Sequence, residues 1–276
     1  MPELPEVETV CNALKPHLVG AKIINIQVLN PALRNPVNLL EHPEIIDKKI
    51  TALHRRAKYM IARIGKKHSL LIHLGMTGSF RIQDSQQPSL KHDHVILRLN
   101  KNRYCIYNDP RRFGQFEYHE IQMGKNTPDC LDHLGPEPFS DAFSDAYFSA
   151  ACKNKVKPIK NLIMDNTVVV GVGNIYASEA LFACAIHPER PAGKISKTKL
   201  NTLRSAIINT LEEAIKAGGS TIINFKSLDG SEGYFARQLM VYDRKGETCK
   251  RCKRGRIRQV QQAGRSSFFC PVCQRH

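Results

Sequence analysis

The chain has 276 residues, 42% of them hydrophobic, which is enough to build buried cores for two domains and excludes wholesale disorder. It contains no run of about 18 apolar residues, so we expect no membrane-spanning segment. The 41 Lys and Arg outnumber the 25 Asp and Glu, and the formal charge of +16 favours a polyanionic partner such as nucleic acid over a basic protein without one.

The first ten residues, MPELPEVETV, contain two prolines and three glutamates and lead into a helical pattern. Pro5 stands near the predicted start of this helix, and Gly20 follows its predicted end. The apolar positions that recur at helical spacing are Val7, Val10, Cys11, Leu14 and Leu18. The segment lacks the basic start and the apolar stretch of a secretory signal, so we expect a cytoplasmic protein.

Short apolar runs broken by Gly, Asn, Asp and Pro dominate residues 21–120. These runs are AKIINIQVL, KYMIARI, SLLIHL, HVILRL and YCIYN. Their alternation of apolar and polar residues predicts strands, and their number predicts an antiparallel domain of two packed sheets.

The pattern becomes helical after NTPDCLDHLGPEPFSD, a segment whose Pro, Asp and Gly content predicts a linker. The clearest helix is LNTLRSAIINTLEEAIKAGG, which Gly218 ends. Its apolar stripe consists of Leu200, Leu203, Ile207, Leu211 and Ala214. The shorter segment KPIKNLIMDN also has a helical pattern.

The segment VVVGVGNIYASEA resembles a dinucleotide-binding loop but fails as one, because Tyr176 occupies the place of the third small residue. We predict instead a tight turn at Gly171 and Gly173, with Asn174 capping a helix that runs to Cys184. Backbone N–H groups at a helix N-terminus suit a phosphate, and an ordinary N-cap is the plainer alternative.

Four cysteines near the C-terminus follow the pattern C-x2-C-x17-C-x2-C. They are Cys249, Cys252, Cys270 and Cys273. Two thiolate pairs at this spacing predict a tetrahedral zinc site that is structural, because no ligand position is left open. The alternative of two redox C-x-x-C pairs lacks a surrounding βαβ pattern.

The same region is strongly basic, with ten Lys and Arg and a single acid from Arg244 to the end of the chain. We therefore predict a zinc-held hairpin that binds phosphate. Arg265 falls on this hairpin between the two cysteine pairs, and a solvated arginine is the alternative interpretation of that residue alone.

Five motifs together resemble formamidopyrimidine-DNA glycosylase, and the resemblance runs from residue 2 to residue 273. The motifs are MPELPEVETV, LGMTGSF, DPRRFG, VVVGVGNIYASE and the terminal cysteine pairs with FFC. The family implies an α+β multidomain fold with a structural zinc ion. We place its N-terminal β-sandwich with a leading helix at 2–127, a linker at 128–138, a helix-two-turn-helix domain at 139–238 and a zinc-finger β-hairpin at 239–276.

The resemblance implies a bifunctional DNA glycosylase and abasic-site lyase of base excision repair, acting on damaged double-stranded DNA as a monomer. Once Met1 is removed, Pro2 is the implied amine nucleophile, and Glu3 is the implied acid/base at the sugar ring oxygen. Lys58 and Arg265 match the residues assigned to β- and δ-elimination. Glu6 is either catalytic or a first-turn acid that complements the helix dipole.

Damaged bases must leave the helix stack before they are attacked, so other side chains have to fill the gap. By resemblance Met76, Arg111 and Phe113 fill it, whereas read locally Met76 and Phe113 are typical core residues. The positions that match phosphate contacts in the family are His92, Lys155 and Asn174, and His92 read alone is an ordinary loop histidine.

Three rival interpretations remain at this stage. Endonuclease VIII, a sister enzyme that prefers oxidised pyrimidines, shares Pro2 and Glu3, but it typically begins PEGPE where this chain has PELPE. A non-catalytic zinc-ribbon protein would explain the charge and the cysteines only. A zinc hydrolase is disfavoured by the filled ligand set.

Two regions stay open, namely Asp243, where the family has glycine, and the predicted lesion-covering loop at 227–235.

Overall fold

The computed structural model describes residues 2–219 and 239–275, which form two compact units. The first unit contains residues 2–132, and the second contains residues 133–219 together with 239–275. Each unit has its own hydrophobic core. The predicted α+β multidomain class is confirmed, and the loop at 227–235 lies outside the described residues.

Helix α1 (Leu4–Leu18) opens the first unit and buries the apolar stripe that its sequence predicts. Pro5 stands in the first turn, where a missing N–H costs nothing because that group has no helical partner. After the helix, Gly20 adopts a φ of 87°, a left-handed conformation that glycine reaches without steric cost. The predicted helix and both of its boundaries are confirmed.

Eight strands form two four-stranded antiparallel sheets in the first unit. In the sheet order β1-β6-β7-β5, the strands are β1 (Ile23–Val28), β6 (Asp93–Leu99), β7 (Arg103–Asn108) and β5 (Ser79–Gln83). In the order β2-β3-β4-β8, they are β2 (Ile50–Arg56), β3 (Tyr59–Ile64), β4 (His68–His73) and β8 (Gln115–Glu120).

One core joins the two sheets with α1, which confirms the predicted β-sandwich. Aromatic side chains contribute much of it, and the rings of Tyr107 and Phe116 meet edge to face at 5.5 Å. Strands β2, β5 and β8 had no apolar run of their own in the sequence. Their partly polar residues form strands because neighbouring strands supply the backbone hydrogen bonds.

Within its described residues, the second unit contains four α-helices, α2 (Asp145–Cys152), α3 (Ile159–Ile163), α4 (Asn174–Ala183) and α5 (Lys197–Lys216). Helix α5 buries the five apolar residues that its sequence predicts, and Gly218 follows its end with a φ of 76°. Its N-cap is Ser196, whose hydroxyl accepts a hydrogen bond from the Lys199 backbone.

The prediction that Asn174 caps α4 is wrong. Gly173 is the N-cap, and Asn174 is the first helical residue. The Asn174 side chain turns away from its own helix because it has stronger partners elsewhere, a buried ammonium and a carbonyl of the zinc hairpin. The predicted turn is present, with Gly171 at a φ of 81°.

The C-terminal hairpin consists of β9 (Arg258–Gln262) and β10 (Arg265–Phe269), paired antiparallel. Arg265 begins β10 directly after the two-residue turn, so its predicted place on the hairpin is confirmed. No helix in the described ranges is both long and apolar enough to cross a bilayer.

Candidate functional site

The N-terminus of α1 carries the predicted nucleophile and its acid. Pro2 is partly exposed, whereas the Glu3 and Glu6 side chains are buried. The Glu3 backbone N–H donates to Glu6 Oε2 at 2.8 Å, as in a capping box. Glu6 therefore holds the backbone next to Pro2, which gives it a structural task beyond complementing the helix dipole.

Lys58 lies in the tight turn between β2 and β3, which the structure packs against α1. The preceding residue, Ala57, has a φ of 53°, an uncommon conformation for a residue with a side chain. Arg55 stabilises this turn, because it donates to the Ala57 carbonyl at 3.0 Å and to Glu8 of α1 at 2.6 Å. The helix that carries Pro2 and the turn that carries Lys58 are thus tied by an ion pair.

His73, at the end of β4, also belongs to this region and was not among the predicted site residues. Burial, reinforced by the charges of Lys58 and Arg34, lowers its pKa from the ordinary 6.5 to about 4. Its Nδ1 accepts the Gly75 N–H at 2.9 Å, so the neutral ring carries its proton on Nε2. A polar residue at the end of the apolar run SLLIHL is the signal that could have found it.

Two adjoining loops of the first unit present the predicted gap-filling residues. Met76 is 38% exposed and Phe113 is 47% exposed, so the alternative that both are core residues is wrong. The Arg111 guanidinium carbon lies 5.0 Å from the centre of the Phe113 ring, within range of a cation–π contact. One apolar chain, one ring and one cation are therefore displayed to solvent side by side.

His92 is exposed on the loop before β6 and has a φ of 71°. The backbone around it is fixed by Asp93, whose carboxylate pairs with both terminal nitrogens of Arg81 at 2.8 Å and accepts the Leu90 N–H. This bidentate pair lowers the pKa of Asp93 against the opposing effect of its burial. The backbone that carries His92 is thus fixed by the hydrogen bonds of Asp93.

In the second unit, the buried Lys160 forms hydrogen bonds both to Asn174, a predicted phosphate contact, and to the C-terminal hairpin. Lys160 of α3 donates to Asn174 Oδ1 at 2.5 Å and to Ser267 Oγ at 2.7 Å. Asn174 in turn donates to the Ser266 carbonyl at 2.9 Å, next to Arg265. The family resemblance pointed to Lys155, which is exposed on the loop before α3. Lys160 was missed because nothing in its local sequence distinguishes it from a solvated lysine.

A cavity of about 300 Å³ opens beside these residues within the second unit. Its lining includes Lys157, Lys160, Asn161, Gln262 and Arg265. The three cationic side chains and two amides can donate hydrogen bonds to phosphate oxygens, and the lining also contains the carboxylate of Asp165, which pairs with Lys157 at 2.8 Å.

The four predicted cysteines come together in the second unit, with their Sγ atoms all within 4.8 Å of one another. The Sγ distances of 3.9 Å for Cys249–Cys273 and 3.8 Å for Cys252–Cys270 suit a tetrahedral zinc ion, whose sulfur ligands lie about 3.8 Å apart. Backbone N–H groups of Gly255 and Arg254 lower the pKa of Cys252, whereas burial raises the pKa of Cys270 and of Cys273, so the fit to zinc rests on the sulfur geometry. The donor set and geometry of the four cysteines thus fit a structural zinc ion.

Two further polar residues that the sequence did not single out support the metal module. Glu179 of α4 is buried and accepts three successive backbone N–H groups, those of Met240, Val241 and Tyr242, at 2.8 to 2.9 Å. Gln274 accepts the Cys270 N–H and donates to the Ile186 carbonyl. Glu179 attaches residues 240–242 to α4, and Gln274 attaches the last cysteine pair to the chain just after α4.

Comparison with known proteins assigns these parts to described domains. Residues 1–116 match the formamidopyrimidine-DNA glycosylase N-terminal domain, and residues 134–226 match the H2TH domain of the same enzymes. Residues 246–275 match a zinc finger found in FPG and IleRS. The three matches together cover most of the chain in the order that the motifs predict.

Full-length relatives give the same assignment. The chain is 46% identical over 275 residues to formamidopyrimidine-DNA glycosylase from Enterobacter sp. strain 638, and 47% identical over 274 residues to that of Legionella pneumophila strain Lens, with at least 98% of each chain covered. Among solved structures, Lactococcus lactis Fpg in complex with DNA containing an abasic site matches at a TM-score of 0.88 and 35% identity, over 100% of both chains.

A second Lactococcus lactis structure, the wild-type enzyme in complex with DNA containing an oxidised pyrimidine, matches at a TM-score of 0.89 and 36% identity. Identity above 40% to whole curated chains, three domain matches and a fitting zinc site agree with one another. The chain therefore belongs to the formamidopyrimidine-DNA glycosylase family of zinc-finger DNA-repair enzymes, which combine glycosylase and abasic-site lyase activity.

Proposed function

We propose that this DNA-repair glycosylase removes oxidised purines, 8-oxoguanine and formamidopyrimidines, through a Schiff base on Pro2 and then nicks the strand by β,δ-elimination. The observation that carries the proposal is the N-terminus of α1, where a buried Glu3 directly follows Pro2 and Glu6 holds the intervening backbone. The DNA-bound relatives, one of them with a Fapy-dG lesion, support a damaged-DNA substrate.

The amine chemistry begins once Met1 is removed. The lone pair of the Pro2 nitrogen attacks C1′ of the damaged nucleotide, the bond from C1′ to the base breaks, and the base leaves with a proton. Glu3 protonates the sugar ring oxygen as the ring opens, which leaves an iminium between Pro2 and C1′. The iminium nitrogen of a secondary amine carries no hydrogen, so it cannot be deprotonated and stays cationic. This iminium serves as the electron sink for the eliminations that follow.

The two eliminations are assigned to two cations. Loss of a C2′ proton expels the 3′ phosphate with help from Lys58, which α1 and Arg55 hold beside neutral His73. A second elimination expels the 5′ phosphate with help from Arg265 at the tip of the hairpin. Water then releases the sugar fragment and regenerates the Pro2 amine.

Lesion access is assigned to the exposed loop residues. Met76 and Phe113 enter the gap that the flipped nucleotide leaves, and Arg111 donates hydrogen bonds to the orphaned cytosine. Asn174, Lys155 and His92 contact the phosphates that flank the lesion. The enzyme acts as a monomer in the cytoplasm. Its domains span residues 2–127 and 139–238, with a linker at 128–138 and the zinc finger at 239–276.

Borohydride trapping on duplex DNA tests this proposal. The substrate carries 8-oxoguanine opposite cytosine, an undamaged duplex serves as the control, and the crosslinked peptide is mapped. A crosslink at Pro2 is the expected result and fits both the nucleophile and the lesion class.

Three other outcomes would each contradict a part of the proposal. A Pro2 crosslink only with an oxidised pyrimidine would move the substrate class toward that of endonuclease VIII. A crosslink at another residue would move the nucleophile. Tight binding of a mature N-terminus without any crosslink would leave a DNA-binding protein that lacks the chemistry.

A further inference from the structure

The two loops that display the gap-filling residues share one buried carboxylate. Asp109, which begins the loop after β7, has no exposed surface. Its Oδ1 accepts from the Thr77 hydroxyl at 2.5 Å and from the Arg111 N–H at 3.3 Å. Its Oδ2 accepts from the Gly114 N–H at 2.8 Å. A single side chain therefore bonds the Met76 loop and both ends of the Arg111–Phe113 segment.

Thr77 completes this junction from the other loop. Its hydroxyl donates to Asp109 and also accepts the Arg111 N–H at 3.2 Å. The Arg111 backbone is thus shared between an acid on its own loop and a hydroxyl on the neighbouring loop. Because charged acceptors make the stronger hydrogen bonds, the carboxylate is the centre of this arrangement.

Glycines allow the two backbones to approach each other at the same place. A Cβ on Gly75, whose φ is 58°, would lie 2.5 Å from the Gly114 nitrogen and would also strike the Phe113 carbonyl carbon. A Cβ on Gly78 would lie 2.5 Å from the Tyr107 hydroxyl. Only glycine therefore fits at position 75 against the Phe113–Gly114 backbone and at position 78 against Tyr107 of β7, so the Met76 loop packs closely where Asp109 bonds it.

The backbone of Asp109 also forms hydrogen bonds with the loop that carries His92. The Asp109 N–H donates to the His92 carbonyl at 3.0 Å, and His94 Nε2 lies 3.0 Å from the Asp109 carbonyl oxygen. Three exposed loops of the first unit thus converge on Asp109.

We propose that Asp109, acting through Thr77, is a positioning residue that holds the Met76 loop and the Arg111–Phe113 loop in one fixed arrangement. In that arrangement the side chains of the two loops recognise the base opposite the lesion. This inference rests on the proposed function, because it assumes that Met76, Arg111 and Phe113 enter the gap. Asp109 touches no reacting atom and acts only by holding the backbone that bears the reading side chains. Its contribution is to lesion recognition and to opposite-base discrimination, and the elimination steps depend on it less.

A pair of substitutions at Thr77 separates the hydroxyl from the shape of the side chain. Thr77→Val removes the donor to Asp109 and the acceptor for Arg111, whereas Thr77→Ser retains both groups. Asp109→Asn replaces the carboxylate that accepts the hydrogen bonds of both loops by an amide of nearly the same volume. Thr51→Val, on β2, serves as the matched control, because its exposed hydroxyl makes only 3.4 Å contacts with backbone carbonyls.

The readout is base release from 8-oxoguanine opposite cytosine and opposite adenine, alongside cleavage at a preformed abasic site. For Thr77→Val and Asp109→Asn we expect base release opposite cytosine to fall by about tenfold and the preference for cytosine over adenine to shrink with it. Abasic-site cleavage should fall much less. Thr77→Ser and Thr51→Val should keep the preference of the unmodified enzyme.

Hydrogen exchange of the free protein supplies a readout that does not depend on catalysis. In Thr77→Val the amides of both loops, 74–78 and 109–114, should exchange faster together, whereas in Thr77→Ser neither should change. Unchanged exchange, or faster exchange in one loop alone, would overturn the coupling.

The remaining outcomes separate this inference from the proposed function. Equal losses of base release and abasic-site cleavage in Thr77→Val would show a general structural effect and overturn the positioning role alone. An unaltered base preference in that variant would do the same. If the unmodified enzyme releases no 8-oxoguanine, the proposed function fails first, and the recognition role assigned to Asp109 fails with it.

Discussion

At the scale of single residues, the site depends on side chains whose environment fixes one protonation state. His73 is the clearest case, because burial and two nearby cations keep it neutral while its Nδ1 accepts the N–H of Gly75. A protonated ring would lose that acceptor and place a third positive charge beside Lys58 and Arg34. The neutral state therefore supports both the turn before Met76 and the placement of the lysine.

This state predicts a specific pH dependence of stability. The pKa of His73 is about 4 in the folded protein and 6.5 ordinarily, so between these values the unfolded chain binds more protons and stability falls as pH falls. By about pH 5 the loss should reach about 2 kcal/mol relative to neutral pH. Urea unfolding of the first unit at both pH values measures it.

His73→Asn is the matched variant, because its amide oxygen can accept the Gly75 N–H at every pH. We expect this variant to lack the contribution of His73, so that its stability changes less between the two pH values. An identical pH dependence in both proteins would mean that His73 is not the group that titrates.

At the scale of elements, helix α4 organises the second unit. Its first residue, Asn174, contacts the zinc hairpin, and its carboxylate Glu179 accepts three backbone N–H groups from residues 240–242. A helix is a rigid support, so both contacts are held at a fixed separation along one axis. The segment that leads into the four cysteines is thereby attached to helix α4.

Glu179→Gln tests this attachment. The amide group keeps one acceptor oxygen but turns an NH2 toward a backbone N–H, so the variant loses charge-assisted hydrogen bonds in a buried place. We expect the second unit to be destabilised by about 2 kcal/mol in thermal or urea unfolding. Glu212→Gln, exposed on α5, is the control and should be neutral. Equal stability of the two variants would remove Glu179 from this role.

At the scale of the whole molecule, the zinc module and the net charge act together. The second unit holds the basic hairpin through four cysteines, and a short hairpin has too little core of its own to remain folded without the metal. Positive charge brings the polyanion to the protein, whereas the metal keeps the cationic side chains in a defined geometry.

Cys249→Ala should release zinc and sharply weaken DNA binding, because three remaining thiolates cannot close the tetrahedral site. Metal content and binding to a lesion duplex measure the two effects. Cys130→Ala removes an exposed cysteine outside the cluster and should change neither. Undiminished DNA binding by zinc-free Cys249→Ala would contradict the role of the hairpin.

The net charge of +16 predicts that DNA binding weakens with added salt and that each lysine bound to a phosphate contributes to this effect. If Lys155 contacts one phosphate, Lys155→Ala should reduce the slope of log affinity against log salt by about 0.9. Lys101→Ala, in the turn between β6 and β7, removes the same charge from an exposed position with no assigned phosphate and should leave the slope unchanged. Equal slopes for both variants would show that Lys155 contributes only to the general field.

Much of this architecture is determined locally and could be predicted. Helices α1 and α5 carry complete apolar stripes with stop signals, and the spacing of the cysteines is sufficient to indicate zinc. The chemistry proposed for the N-terminus comes from the resemblance of MPELPEVETV to the family, and the two residues that it involves, Pro2 and Glu3, are adjacent in the chain. In each of these cases the signal lies within one continuous segment of the chain.

Other features were decided only by the tertiary structure, because their partners are distant in sequence. Lys160 becomes buried when it meets Ser266, 106 positions away, and Asp109 acquires its role from Thr77, 32 positions away. The capping of α4 was mispredicted for the same reason, since Asn174 preferred a partner on another element to its own helix end. Local sequence specifies what a side chain can offer, and long-range packing decides which partner receives it.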